Sequence, residues 1–273
     1  MSDADADALP AAKPKFERKP ESGGTFPDIG ELFNETIAEF SDDMVPYVMA
    51  GVAQFVVVLP LVLFGIFGMY IGMFVGMGVI MAISAIIGGL LMEVNEALGA
   101  LVMLVGQLGS MLVIPVAIFV MVGLMVGVMS PLNASLVRAA AAHQRGEKTL
   151  DFAGAFSTIT QDIPRVLMAG LALAFLGMIG AMFCYLPALL VLLVFGFVSS
   201  LVALHRQRPG DAFRTALATF RANQNWHLMF GLVYIALTMA ASNIPVLGSA
   251  FLLAFHTRAH RKVFGDDEEP ALA

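Results

Sequence analysis

Four windows of this chain contain no Asp, Glu, Lys or Arg: residues 44–92, 97–137, 166–205 and 228–257. A helix needs about 20 apolar residues to cross ~30 Å of hydrocarbon, so each window is long enough for at least one crossing. The rest of the composition agrees. Of 273 residues, 59% are hydrophobic and 13% charged, against roughly 25% charged in an average soluble domain. One soluble core of this size could not hide so much apolar surface. The windows lack strict alternation and are rich in Met, Ala, Leu and Gly, which disfavours a β-barrel. The expected fold is all-α, a polytopic transmembrane helical bundle.

Both ends read differently. Residues 1–28 are rich in Asp, Ala, Pro and Lys and predict a disordered N-terminal tail. They start acidic and no apolar stretch precedes residue 44, which does not fit a signal peptide. Residues 265–273, "GDDEEPALA", predict a second, acidic tail. The formal net charge of −6 comes mostly from these termini and says little about partners. Cys184 is the single cysteine, so no intrachain disulfide forms.

Inside the chain one skeleton is written three times. Phe33, Ile37, Phe40, Met49 and Gly51 align without gaps with Phe152, Phe156, Ile159, Met168 and Gly170, and with Phe213, Leu217, Phe220, Met229 and Gly231. Apolar residues at i, i+4 and i+7 make one narrow helical stripe. Each copy predicts an amphipathic interfacial helix feeding a pair of crossing segments. The stripe could lie on lipid or on the protein's own spans. Around the first stripe the other face carries Glu31, Asn34, Glu35 and Glu39; around the third, Arg214 and Arg221. The expected organisation is repeat 1 over 29–149 with Gly- and Met-rich inserted spans, repeat 2 over 150–208 and repeat 3 over 209–264.

Charge orients the bundle. All 15 basic residues fall within Lys13–Lys19, Arg138–Arg165, Arg206–Arg221 and Arg258–Lys262. Positive loops stay cytoplasmic, which places both termini and both basic loops inside a cell inner membrane. An even span count follows. Eight spans are preferred: 46–67, 69–92, two short legs in 97–131 around a tight hairpin at Gln107–Ser110, then 164–183, 186–204, 227–241 and 245–260. Six is the alternative.

Two stretches carry a resemblance. They are "SPLNASLVRAAAAHQRGEKTLDFAGAF" and "CYLPALLVLLVFGFVSSLVALHRQRPGDAFRTALATFRANQNWHLMFGL", the second ending its amphipathic helix near Trp226. Over roughly residues 130–264 the chain resembles a group of uncharacterised bacterial multi-pass integral membrane proteins with a domain of unknown function. It departs from that pattern at Ala188, where glycine is usual. The resemblance implies fold and location, and no chemistry comes with it.

Several constellations in the sequence also have plainer structural uses. Gly68, Gly72 and Gly76 lie four apart on one helix face, and Gly123 and Gly127 repeat the spacing once. Small residues at that spacing let helices approach closely, either within the chain or between copies. Within the spans the polar residues are Gln54, Ser84, Gln107, Ser110, Thr238, Ser242 and Asn243; interhelical hydrogen bonds are their ordinary use. Gln107 and Ser110, beside glycines, are candidates to line a polar opening. No ionisable residue sits deep in a span, which disfavours ion-coupled transport. His256 and His260 have a metal-compatible i, i+4 spacing without a third ligand, and a solvated cytoplasmic helix end accounts for them better. Asp42 and Asp43 suit the N-terminus of the helix that follows. Nucleophile-elbow, P-loop and zincin patterns are absent.

The functional expectation is therefore a non-enzymatic membrane protein with a scaffolding, bilayer-organising or partner-assembly role. No cofactor and no nucleic acid are expected. The partners expected are membrane lipids, a further copy of the chain, or another membrane protein. The alternative is a transporter or channel for a neutral or lipid-like small molecule.

Overall fold

A computed structural model describes residues 26–182 and 186–265, and among these it is all-helical. Of the tails expected at 1–28 and 265–273, residues 1–25 and 266–273 lie outside the described residues, as does Cys184. Ten helices follow one another: α1 (Ile29–Asp42), α2 (Met44–Met92), α3 (Glu96–Gln144), α4 (Phe152–Phe156), α5 (Ile163–Met182), α6 (Leu186–Phe195), α7 (Val198–Leu204), α8 (Pro209–Ala222), α9 (Gln224–Ala241) and α10 (Pro245–Phe264). Of these, α2, α3 and α5 are long and apolar enough to cross a membrane, and 188–204 forms a shorter apolar stretch.

Local chemistry sets the boundaries. Asp28 caps α1 by accepting from the amides of Gly30 and Glu31 at 2.8 and 3.1 Å, satisfying donors that a helix start leaves unpaired. Asn95 caps α3 and Asn223 caps α9 in the same way. Pro209 and Pro245 open α8 and α10 at positions where a missing amide costs nothing. Gly146, at φ 78°, closes α3 in the left-handed conformation that favours glycine. Asp43 makes no side-chain cap bond; its carboxylate lies 2.9 Å from His143 Nε2 instead.

The largest departure from the sequence reading is in α2 and α3. Each is one unbroken helix of 49 residues, ~74 Å long at 1.5 Å per residue. The expected division near residue 68 and the hairpin at Gln107–Ser110 are absent. The chain turns once, at 93–95, where Glu93 and Asn95 interrupt the apolar run. Leu104, Leu108, Met111 and Leu112 carry the helix through 107–110, where Gly106 and Gly109 weaken it but no proline breaks it. Pro60, Pro115 and Pro131 are accommodated inside the helices.

Two buried clusters hold the bundle together. One gathers Phe197, Val198, Trp226, Phe230 and Phe255; the other gathers Tyr47, Leu132, Leu136, Ala140 and Ala250. The second takes in the first turns of α2 and the last turns of α3, and the first touches α3 only at Ala134. Beyond them α2 and α3 run on side by side, and no residue in the most apolar 18-residue stretch of either is buried. Phe64 is 78% exposed and Phe74 70%. The molecule is a compact helical bundle with a long, bare, two-helix hairpin.

The Phe-led elements also differ from expectation in detail. The second is a five-residue helix, α4, running into turns over 157–162. In α1 the fully covered side is Leu32, Thr36 and Glu39, one residue ahead of the Phe33–Ile37–Phe40 stripe. In α8 it is Ala212 and Ala216, again one ahead of Phe213 and Leu217. Phe33, Phe40 and Phe213 are half-buried against the clusters, whereas Ile37 and Phe152 are exposed. Phe156 and Ile159 pack on the second cluster, and Phe220 meets His227 edge-on at 5.7 Å. The end of the expected N-terminal tail is tied down. Phe26 packs against Trp226 at 5.5 Å, and the Trp226 indole donates to the Pro27 carbonyl at 2.7 Å.

Candidate functional site

The sequence leads to a solvated, basic end for α10, but the structure buries it. Arg258, His260 and Arg261 are all under 5% exposed. The reason is α1, which lies across α10 and turns its acidic residues inward. Arg258 donates to Glu39 from Nε at 3.0 Å and Nη2 at 2.8 Å, and from Nη1 to Glu35 at 2.9 Å. Lys262 also pairs with Glu35. Tyr47 from α2 donates its hydroxyl to Glu39, and Gln144 from α3 reaches Glu39 and the Ala254 carbonyl at 3.5 and 3.2 Å. Four helices thus meet on one carboxylate. Buried charge is tolerated only when it is paired and hydrogen-bonded in this way.

Beside this network lies a histidine chain. His256 Nε2 is 3.3 Å from Ser200 Oγ, Ser200 Oγ is 2.9 Å from His260 Nδ1, and His260 Nε2 is 2.8 Å from His205 Nε2. Among the described residues no group of three His, Cys, Asp or Glu is placed to hold a metal. Two imidazole nitrogens at 2.8 Å share a proton, with one ring donating and the other accepting. His256 Nδ1 is buried without a hydrogen-bond partner.

His256 and Ser200 also border a cavity of about 510 Å³ between α3, α5, α6, α9 and α10. Its polar lining comprises Gln54, Asn133, Ser199, Ser249 and Tyr234, and its apolar wall includes Leu173, Val191, Leu192 and Phe195. Gln54 of α2 donates to Asn133 of α3 at 3.5 Å across the helix pair. Among the described residues no charged side chain lines it. Such a space suits an uncharged molecule with hydroxyl or amide groups and an apolar body.

The residues singled out in the sequence fall elsewhere. Gln107 is exposed, and Ser110 donates its hydroxyl to the Gln107 carbonyl within α3. Neither borders the cavity; Gln54 and Asn133 do. Of the five packing glycines, Gly76 lies against the partner helix, where a β-carbon would come within 2.9 Å of Val113. Gly68, Gly72, Gly123 and Gly127 face open space. Gly65, Gly68 and Gly72 floor a shallow outward groove of about 370 Å³ on the hairpin. The close approaches of α2 to α3 occur at Gly88, Gly99 and Gly106 instead, the last directly against Ser84.

One equivalence among the three aligned segments is visible in contacts. Met49, Met168 and Met229 are all exposed. At Gly51, Gly170 and Gly231 a β-carbon would collide with Val246, Ser130 and Leu193 respectively. In each case the methionine faces outward and the glycine two residues later admits a neighbouring helix.

No family model matches this chain, and neither a curated protein nor a solved structure does.

Proposed function

We propose that this chain is a non-enzymatic integral membrane protein that organises the bilayer or assembles partner helices around the α2–α3 hairpin. The observation that carries the reading is the mismatch between that hairpin and a membrane. Helices of ~74 Å fit inside ~30 Å of hydrocarbon only when tilted by roughly 65°, whereas spans tilt by about 0–40°. The uncharged windows run almost the full length of both helices, so water is a poor environment for the excess. Locally thickened bilayer or other apolar protein surface must cover what a plain bilayer does not.

On this reading the protein lies in a bacterial inner membrane and belongs with the uncharacterised multi-pass proteins it resembles. Its basic pole and both termini are cytoplasmic. Support for the orientation comes from contacts that bring separate basic segments together: Arg138 donates to the Ala203 carbonyl at 2.8 Å, and Arg165 donates to the Arg206 carbonyl at 3.3 Å. The threefold arrangement of interfacial helix and crossing pair draws support from the shared Met-outward, Gly-inward environments. Cysteine-accessibility labelling of the loop around Arg145 in intact cells tests the orientation; labelling from the periplasm contradicts it.

Stability measured across bilayers of increasing acyl length tests the organising role. A hairpin that demands thickness gains stability continuously as chains lengthen from 14 to ~22 carbons. An optimum at ordinary thickness, or saturable solute flux in proteoliposomes, defeats the proposal. A second reading, a carrier for a neutral or lipid-like molecule, is favoured by the cavity between Gln54, Asn133 and His256. Saturable uptake lost on Asn133→Leu would establish it in place of the first.

A further inference from the structure

At the basic pole a second cavity, about 330 Å³, opens between the end of α3, α4 and its following turns, the end of α7 and the end of α10. Its lining brings five cations together from three separate stretches of chain: Arg138, Arg145, Lys148, Arg206 and Arg261. Among the described residues, none that lines it is an Asp or Glu. Two carboxylates stand close by. Glu147 pairs with Arg145 at 3.0 Å, and Asp162 lies 3.6 Å from Arg138 and 3.8 Å from Arg206.

The cations are also held in place. Arg138 is fixed by the carbonyls of Ala203 and Thr158 at 2.8 and 3.2 Å, and Arg261 is 3% exposed and donates to Gln144. The contacts from Asp162 are longer than the 2.7–2.9 Å typical of direct charge-assisted bonds. The Ser157 hydroxyl lines the same space. Planar guanidinium forks, an ammonium and a hydroxyl converging on one concavity match the several oxygens of a phosphate better than one carboxylate.

We propose that this cavity binds a phosphate-bearing anion, whether carried on a lipid headgroup or free in solution. Its place at the charged pole, where the uncharged run of α3 gives way to Arg138, is headgroup depth. The inference does not depend on the scaffolding reading; a carrier or a scaffold could hold the same ligand. Asp266, Asp267, Glu268 and Glu269 follow the lining residue Gly265 directly in sequence.

Titration of the full chain in detergent tests it, with inorganic phosphate, dioctanoyl phosphatidic acid and zwitterionic dioctanoyl phosphatidylcholine as probes. Saturable one-to-one binding of inorganic phosphate, phosphatidic acid or both is expected, and none of the zwitterionic lipid. Binding of phosphatidic acid alone assigns the ligand to lipid; binding of inorganic phosphate alone assigns it to solution; both mean that the phosphate group is recognised from either source. Arg145→Gln with Lys148→Gln should weaken Kd by about tenfold or more. Lys148→Gln alone, at an exposed position, should weaken it in the same direction if the double variant does not fold. Arg214→Gln with Arg221→Gln, basic residues outside the cavity, should stay within about twofold. Full-length protein with Asp266→Asn, Asp267→Asn, Glu268→Gln and Glu269→Gln should bind more tightly. The proposal fails if neither the natural nor the neutralised chain binds a phosphate probe. It fails equally if the Arg214 and Arg221 changes cost as much as those in the cavity.

Discussion

Arg258→Met is the most informative single perturbation, because it removes one partner from a buried network and leaves the other in place. Arg258 is 4% exposed and makes three contacts of 2.8–3.0 Å to the carboxylates of Glu39 and Glu35. Each charge-assisted bond contributes about 1.5–3 kcal/mol, but those sums overshoot, because forming the pair already cost desolvation of both ions. The better guide is the cost of orphaning a buried charge, about 3–5 kcal/mol. Glu39 keeps Tyr47 and Gln144 as donors, which argues for the lower half of that range. Replacing both members by apolar residues removes the orphan, so Glu39→Met with Arg258→Met should recover most of the loss. The assay is a double-mutant cycle on reversible unfolding in one detergent or bicelle. A loss below about 1 kcal/mol for Arg258→Met, or a double variant as unstable as the sum of the singles, refutes the reasoning.

Glycine substitutions should split by sign. Gly51→Ala drives a β-carbon into the Val246 carbonyl and should cost about 1–3 kcal/mol. Gly72→Ala meets open space and should be neutral or gain up to ~1 kcal/mol in helix propensity, read in the same unfolding assay. Trp226→Phe removes the indole donor to Pro27 and should cost about 1 kcal/mol. In the natural chain Phe26→Ala opens that contact to water, and the emission of Trp226, the single tryptophan, should shift to the red.

The features written locally were legible. Uncharged windows announced the long helices, and the three basic segments among the described residues, Arg138–Arg165, Arg206–Arg221 and Arg258–Lys262, meet at one charged pole. Asn95 and Glu93 marked the α2–α3 turn. The expected spans do stop at 92 and resume at 97, but measuring helices against a 30 Å slab added a break near residue 68 and a hairpin at Gln107–Ser110, where no residue stops a helix. What depended on distant partners was hidden. Glu39 is polar, and its local pattern points it to water; the residue that draws it inside is 219 positions away. Gln54 and Asn133, 79 apart, meet only once α2 and α3 are aligned. The Phe stripes located α1 and α8 correctly, but hydrophobicity ranks large side chains first. The seams themselves are built one residue earlier, on Leu32 and Thr36 or on Ala212 and Ala216, where close helix contact requires it. Of the glycines at four-residue spacing, Gly76 meets α3 within the chain, whereas Gly68 and Gly72 do not. Spacing puts Gly68 and Gly72 on a common face, but helix rotation decides whether that face meets a neighbour.

The unbroken hairpin underlies the fold and the proposed role alike, and one distance measures it. Spin labels at Met49 and Leu90, both exposed on α2, are separated by 41 residues. A continuous helix places them about 62 Å apart, within reach of double electron–electron resonance in deuterated lipid nanodiscs. A narrow distribution near that value is the result expected. A chain folded back near residue 68 returns both labels to one membrane face, and a distance below ~35 Å would contradict the hairpin and the role built on it.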